Sequence, residues 1–242
     1  MSSIHFNITE IHALSPGLEN KSDWMAWALQ KSPPPQNPDF PAIALVPPAM
    51  RRRMSNLSKL AVQVAAELSE KEEIHYTVFS SKHGEIQRTL ALLLSVLSGD
   101  DASPIAFSQS VHNTAAGLFT IATKKAIPAN SIAAGEDSFH CALLDAFLYL
   151  HDHPEHRVLV IDFDDSLPDI YRHHVPSPDA PYAIGMVLSA GRDIEITRQA
   201  QKITPTYPKL PQSLSFYSSW LTEIRAFSIA GRTQWDWKIH RR

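Results

Sequence analysis

The chain has 242 residues, 44% of them hydrophobic, which is enough for one sizeable core or at most two small ones. Its formal net charge of −3 leaves no overall basic footprint, and this argues against a nucleic-acid partner. A single cysteine, Cys141, excludes an internal disulfide, the N-terminus lacks a basic region followed by an apolar core, and the apolar runs are far short of the ~20 residues that cross a bilayer, so a soluble cytoplasmic protein with no membrane insertion is expected. Eighteen prolines against eight glycines point to loops stiffened by proline.

Alternation of apolar and polar residues over 5–11 predicts an early strand. Trp24, Met25, Trp27 and Leu29 recur at near-helical spacing over 23–29, with Ser22 placed to cap that short helix. Residues 32–48 hold seven prolines, so an extended loop is expected, because proline removes a donor and pushes its predecessor out of helix. Leu57, Leu60, Ala61, Val64, Ala65 and Leu68 form one face of an amphipathic helix over 55–68. Residues 74–80 read as a buried strand, 81–84 as a turn and 85–97 as a second helix. A short strand over 131–134 leads into a helix over 138–150, with Phe139, Leu143, Ala146, Phe147 and Leu150 inward. The clearest strand spans 157–163; two more, 182–189 and 194–197, flank a turn at 190–193. A last helix is expected over 214–227, before a tail rich in Trp and Arg. This alternation predicts an α/β layer with a mixed, mostly parallel sheet flanked by helices.

Four segments occur in a telling order. Arg51-Arg52-Arg53 leads a helix, residues 78–85 make a strand and glycine turn, Ser110-Val111-His112-Asn113-Thr114-Ala115-Ala116-Gly117 follows, and Gly135-Glu136-Asp137-Ser138-Phe139 comes last. Between about residues 49 and 190 the chain resembles the N-terminal half of the β-ketoacyl synthases, which have the thiolase fold. The resemblance implies a truncated thiolase-like fold: one ketosynthase-like domain over 1–242, with the Pro-rich loop at 32–48 and a C-terminal helix plus Trp/Arg tail at 212–242.

That resemblance puts Gly135, within about one residue, at the position of the family's nucleophile. Gly135 has no side chain and Glu136 is a poor nucleophile toward a thioester, so a vacated nucleophile position is expected and no catalytic residue. The family's two catalytic histidines lie in glycine-rich motifs, and none follows residue 190. The chain is further similar to the short ketosynthase-like subunits of bacterial aryl polyene clusters. This implies a chain length factor that pairs as a heterodimer with a full-length β-ketoacyl synthase and shapes the tunnel for acyl chains held on an acyl carrier protein, with no cofactor. Phe107, Val111, His112, Asn113, Thr114 and Phe139 are then tunnel or interface residues, and Arg51, Arg52 and Arg53 a contact for the acidic carrier protein. An independent physical argument also calls for a partner: a lone half of such a fold would leave apolar helix surface in water.

Blander readings stand beside these. Phe107, Val111, His112 and Thr114 also suit core and cap positions, Gly135-Glu136 a tight turn with an acid at a helix N-terminus, and the arginines a solvated helix start. Cys141, two turns into its helix, reads as a small core residue; a truncated acyltransferase or thioesterase using it is the rival enzyme reading, and a carrier-protein scaffold the rival binding reading. Asp162, Asp164 and Asp165 read as a solvated loop without the phosphate-binding glycines of a Mg²⁺ site. His151, His153, His156, His173 and His174 read as exposed loop residues without cysteine or carboxylate companions at zinc spacing, so no metal is expected. The Trp235-Asp236-Trp237 tail fits either a cap on the fold or a partner contact.

Overall fold

The computed structural model describes residues 3–30, 38–173, 177–199 and 210–240. The prolines of 33–35, His174 and the tail pair Arg241 and Arg242 lie outside the described residues. The chain begins with β1 (Ser3–Leu14), α1 (Lys21–Gln30), α2 (Pro48–Arg51), α3 (Asn56–Lys71) and β2 (Tyr76–Ser80). Next come α4 (Ile86–Leu97), α5 (Pro104–Ser108), α6 (Thr114–Thr123), β3 (Ala129–Ile132), a 3₁₀ turn over Gly135–Asp137 and α7 (Ser138–Asp152). β4 (Arg157–Asp164), α8 (Asp169–Arg172), β5 (Tyr182–Arg198), α9 (Gln212–Leu221), β6 (Ala226–Ala230) and β7 (Gln234–Ile239) complete it.

The strands form one mixed sheet in the order β3-β2-β4-β5-β7-β6, with β1 also on β5. The α/β class with flanking helices is as expected, but the parallel majority is not. Only β2–β3 and β2–β4 are parallel; β1–β5, β4–β5, β5–β7 and β6–β7 are antiparallel. The reason lies in β5. Residues 190–193 form no hairpin: they bulge between the pairings Ser189↔Asn7 and Ile194↔Phe6, and one long strand continues through them. Asn7 holds the bulge by accepting the Asp193 N–H at 3.0 Å, so one strand takes three antiparallel neighbours.

Side chains alternate between the two faces of the sheet. In β4, Val158 and Val160 join one core while Leu159, Ile161 and Phe163 join the other. The first core is closed by Trp24 of α1, Phe139 and Leu143 of α7 and Phe216 of α9. The second holds Leu57, Leu60, Val64 and Leu68 of α3 with Phe119 of α6. Each such side chain, fully buried, contributes about 1.5–3 kcal/mol.

α3 starts as its sequence predicts, with Ser55 Oγ accepting the Ser58 N–H at 2.9 Å. Its outward side is not left in water. Ile43, Val46 and Met54 cover it, and Leu45 donates its N–H to Gln63 Oε1 at 3.0 Å. α1 is capped by Asn20 rather than Ser22: Asn20 Oδ1 accepts the N–H groups of Ser22 and Asp23, and Asp23 Oδ2 returns a bond to Asn20 N–H. Arg51 ends the short α2 instead of leading α3, and its guanidinium donates to Ile43 O at 2.8 Å.

The expected last helix stops early. α9 ends at Leu221, and Phe227 lies in β6 of a C-terminal hairpin. Trp235 and Trp237 of β7 face inward against α7, whereas Asp236 points out, so the Trp tail caps the fold.

Gly185 is where α3 meets β5 most closely. A Cβ there would stand 2.5 Å from Leu68 Cδ1 and 2.6 Å from Val64 Cγ1. Gly185→Ala should therefore cost about 1–3 kcal/mol of stability, read as a lowered midpoint in urea unfolding.

Candidate functional site

The C-terminal ends of β2 and β4 converge on the 3₁₀ turn that precedes α7. Gly135 opens this turn at φ +62°, a conformation that favours glycine. Ser138 locks it: its Oγ donates to Gly135 O at 2.8 Å and accepts the Ala134 N–H at 3.0 Å. Glu136 forms an ion pair with Lys82 at 2.5 Å.

Beneath lies a polar spine that sequence reasoning placed in a solvated loop. Asp162 and Asp164 are buried strand residues. Asp162 accepts hydrogen bonds from Ser80 Oγ, Tyr182 Oη and Ser213 Oγ. Asp164 accepts the backbone N–H groups of Lys82 and His83 and the Ser81 hydroxyl, at 2.7–2.9 Å. Those bonds shape the 81–84 turn, closed by Gly84 at φ +56°. Burial, and then the neighbouring Asp162 charge, push Asp164 up to about 7.

A cavity of about 50 Å³ sits between turn and spine, lined by His83, Gly135, Glu136, Phe139, Asp164 and Gln212 among others. Burial lowers His83 to about 4, so it is neutral, and its Nε2 is buried without a hydrogen-bond partner among the described residues. The cavity thus offers a neutral imidazole, a carboxyl near neutrality and an ion pair. The hydroxyl of Ser138, at its edge, is spent on the turn.

Two neighbours of the turn have structural surroundings. Cys141 is half-buried, and burial, then Asp137, push its thiol up, away from the thiolate that a nucleophile needs. His140 is fully buried and drops to about 3, chiefly through burial. Trp237 Nε1–H donates to its Nε2 at 3.0 Å, so its proton sits on Nδ1, which lies 2.7 Å from Gln212 Oε1.

The expected tunnel and interface residues separate. Phe107 is exposed on α5. Val111 and His112 are half-buried in the turn before α6, where the His112 ring packs on Gly84. Asn113 is exposed, and Thr114 is buried with its hydroxyl donating to Val111 O. Phe139 belongs to the core behind the turn, facing Phe216 and Trp237. Arg52 and Arg53 are exposed.

Sequence reasoning missed Glu85. This buried carboxylate accepts hydrogen bonds from Ser55 and Ser58 at the N-terminus of α3 and pairs with Arg88, while Arg88 also donates to Arg53 O and Gln109. It thereby anchors α4, which buries none of its own side chains. Leu93, Leu94, Val96 and Leu97 of α4 and Ile105 and Phe107 of α5 are exposed together. The signal was an acid opening an otherwise apolar helix. The structure also gathers His153, Glu155 and His156, a carboxylate companion that the spacing argument overlooked. Among the described residues no helix is long and apolar enough to cross a membrane.

The sequence matches the family described as Beta-ketoacyl synthase, N-terminal domain, over residues 24–238. No curated protein matches it. A chain of the ketosynthase (ApeO) in complex with its chain length factor (ApeC) from Xenorhabdus doucetiae is similar at 30% identity and TM-score 0.88, covering 97% of this chain and 99% of that chain. A chain of the ishigamide ketosynthase/chain length factor is similar at 13% identity and TM-score 0.62, over 82% of this chain and 67% of that chain. A chain of AntDE:AntF, a type II PKS acyl-carrier protein in complex with its ketosynthase, aligns at 10% identity and TM-score 0.69, over 99% and 100%. These last two likenesses show the fold alone.

Asp164 lies above its ordinary value of 3.8, so the stability held by its protonated form is complete below pH 3.8 and lost as pH rises through 7. Asp162→Asn removes the adjacent charge and should move the titration of Asp164 downward from about 7, read from carboxyl ¹³C shifts by NMR.

Proposed function

Because this chain belongs to the Beta-ketoacyl synthase, N-terminal domain family, we propose that it is a non-catalytic chain length factor. It pairs with a full-length β-ketoacyl synthase and shapes the acyl tunnel during elongation of carrier-bound chains, in an aryl polyene type of system. The whole chain, on this reading, is one ketosynthase-like domain.

The observation that carries the reading is the apolar face of α4 and α5. Leu97 is 73% exposed, Ile105 67% and Phe107 61%. Large contiguous apolar surface is uncommon on monomers and marks docking sites. This face is held in place by Glu85 and Arg88 rather than left loose. On the same sheet β3 forms an edge, paired among the described strands only with β2, and an unpaired edge accepts a further strand. The partner supplies the cysteine and histidines of condensation. Gly135 and Glu136 mark the vacated nucleophile position, and the neutral, bonded His140 and the raised Cys141 thiol argue against independent acyl transfer.

Phe107, Val111, His112 and Asn113 then form the contact with the partner, with Phe107 the bulkiest side chain offered to the tunnel; buried Thr114 holds their turn, and Phe139 supports the 3₁₀ turn from behind. Exposed Arg52 and Arg53 are the residues left to meet an acidic acyl carrier protein, since Arg51 is spent on Ile43 O.

Co-expression with the partner ketosynthase, one subunit tagged, should give a one-to-one complex by native mass spectrometry. Leu94→Asp with Leu97→Asp places charges on the exposed face and should abolish that complex while circular dichroism of the isolated chain is unchanged. A complex that survives both substitutions overturns this docking face. In the reconstituted system Phe107→Ala should shift products toward longer chains, read by mass spectrometry, because a smaller side chain stops the growing chain later; an unchanged profile removes Phe107 from the tunnel.

A further inference from the structure

The turn between α7 and β4 has the sequence His151-Asp152-His153-Pro154-Glu155-His156. The turn folds back on itself: His153 donates its N–H to Tyr149 O at 2.9 Å and His156 donates to His153 O at 3.1 Å. As a result His153, Glu155 and His156 each bring a ligand atom to within 4.8 Å of the others.

His156 is held in position from two sides. Its Nδ1 lies 3.0 Å from Tyr149 Oη, and its ring stacks on His75 at 4.2 Å. Tyr149 is itself fixed by stacking on Tyr76. A histidine ligand oriented through its second nitrogen by a neighbouring polar group is the usual support of a metal site. With Nδ1–H donated to Tyr149, the Nε2 lone pair faces Glu155, whose Oε1 is 3.4 Å away. A tetrahedral ion at about 2.0–2.2 Å from each ligand separates an imidazole nitrogen and a carboxylate oxygen by roughly 3.3 Å. The pair therefore stands near bridging distance before any ion is added. The wider gap to His153 closes by rotation of side chains that are exposed.

We propose that His153, Glu155 and His156 bind one divalent transition cation of the zinc class, leaving a fourth position to water. Two imidazoles select such an ion over Mg²⁺ or Ca²⁺, which take oxygen ligands. The ion clamps the end of α7 to the start of β4. The site lies at the far end of β4 from Asp164, roughly 23 Å of strand away, and uses no residue of the α4–α5 face.

The test titrates Zn²⁺ into the untagged full chain by calorimetry, with Co²⁺ as a spectroscopic probe. One site with the intense visible absorption of four-coordinate Co²⁺ is expected. His156→Ala and Glu155→Gln should each weaken Zn²⁺ at least about tenfold. His173→Ala, an exposed histidine elsewhere, should leave affinity unchanged. Zn²⁺ should also raise the thermal midpoint of the wild type but not of His153→Ala/His156→Ala. Equal affinity in that double variant, or Zn²⁺ held no more tightly than Mg²⁺, overturns the proposal.

Discussion

The rest of the structure depends on how α7 is sealed. One buried cluster joins the start of this helix to α9 and the C-terminal hairpin. Asp137 Oδ1 accepts from Trp235 Nε1 at 3.0 Å and from Gln212 Nε2 at 3.2 Å, and Gln212 also donates to Ala230 O. His140 sits between Trp237, Gln212 and the stacked Trp235 ring. These donors and acceptors meet partners of opposite sense, which is what lets so much nitrogen and oxygen stay buried; each unmatched group would cost about 1–3 kcal/mol. Gly231 belongs to the arrangement, since a side chain there would collide with Asp137 Oδ1. The hairpin thus serves α7 as a lid made from the chain's own sequence.

This sealing explains why the apolar surplus appears where it does. α3 and α7, on opposite faces of the sheet, are both covered, by the 43–54 segment and by the hairpin. The densest run of exposed apolar side chains among the described residues lies on α4 and α5: Leu93, Leu94, Val96 and Leu97, with Ile105 and Phe107. This exposed face is the surface that the proposed ketosynthase partner would cover.

Much of the fold was legible in the sequence because it rests on local pattern. Ser55 and the apolar stripe from Leu57 to Leu68 specify α3, and the Val-Leu-Val-Ile run specifies β4. What was not legible depends on distant partners. Residues 190–193 look like a hairpin turn until β1 supplies Asn7 to hold them in a bulge. Phe227 continues an apolar helical pattern, yet hairpin pairing with β7 is the stronger constraint. Asp162 and Asp164 carry no local sign of burial, since their donors come from β2, the 81–84 turn, Tyr182 and α9. At the candidate site, Gly135 was found through resemblance and its left-handed backbone agrees with a tight turn; Glu85 went unremarked, because its partners Ser55 and Ser58 lie some thirty positions earlier.

Gly135 also limits what its own position can carry. A Cβ built there meets nothing within 4 Å, so space alone does not keep a side chain out; the backbone does, at φ +62°. A reactive residue introduced at this position would have to hold a left-handed conformation costing roughly 1–2 kcal/mol, with no neighbouring atoms to steady it. Ser138 fixes the turn from both sides, so the backbone cannot relax without breaking its bonds. A side chain at this position therefore takes a change of residue and a change of backbone together, and the turn works as a latch against single substitutions.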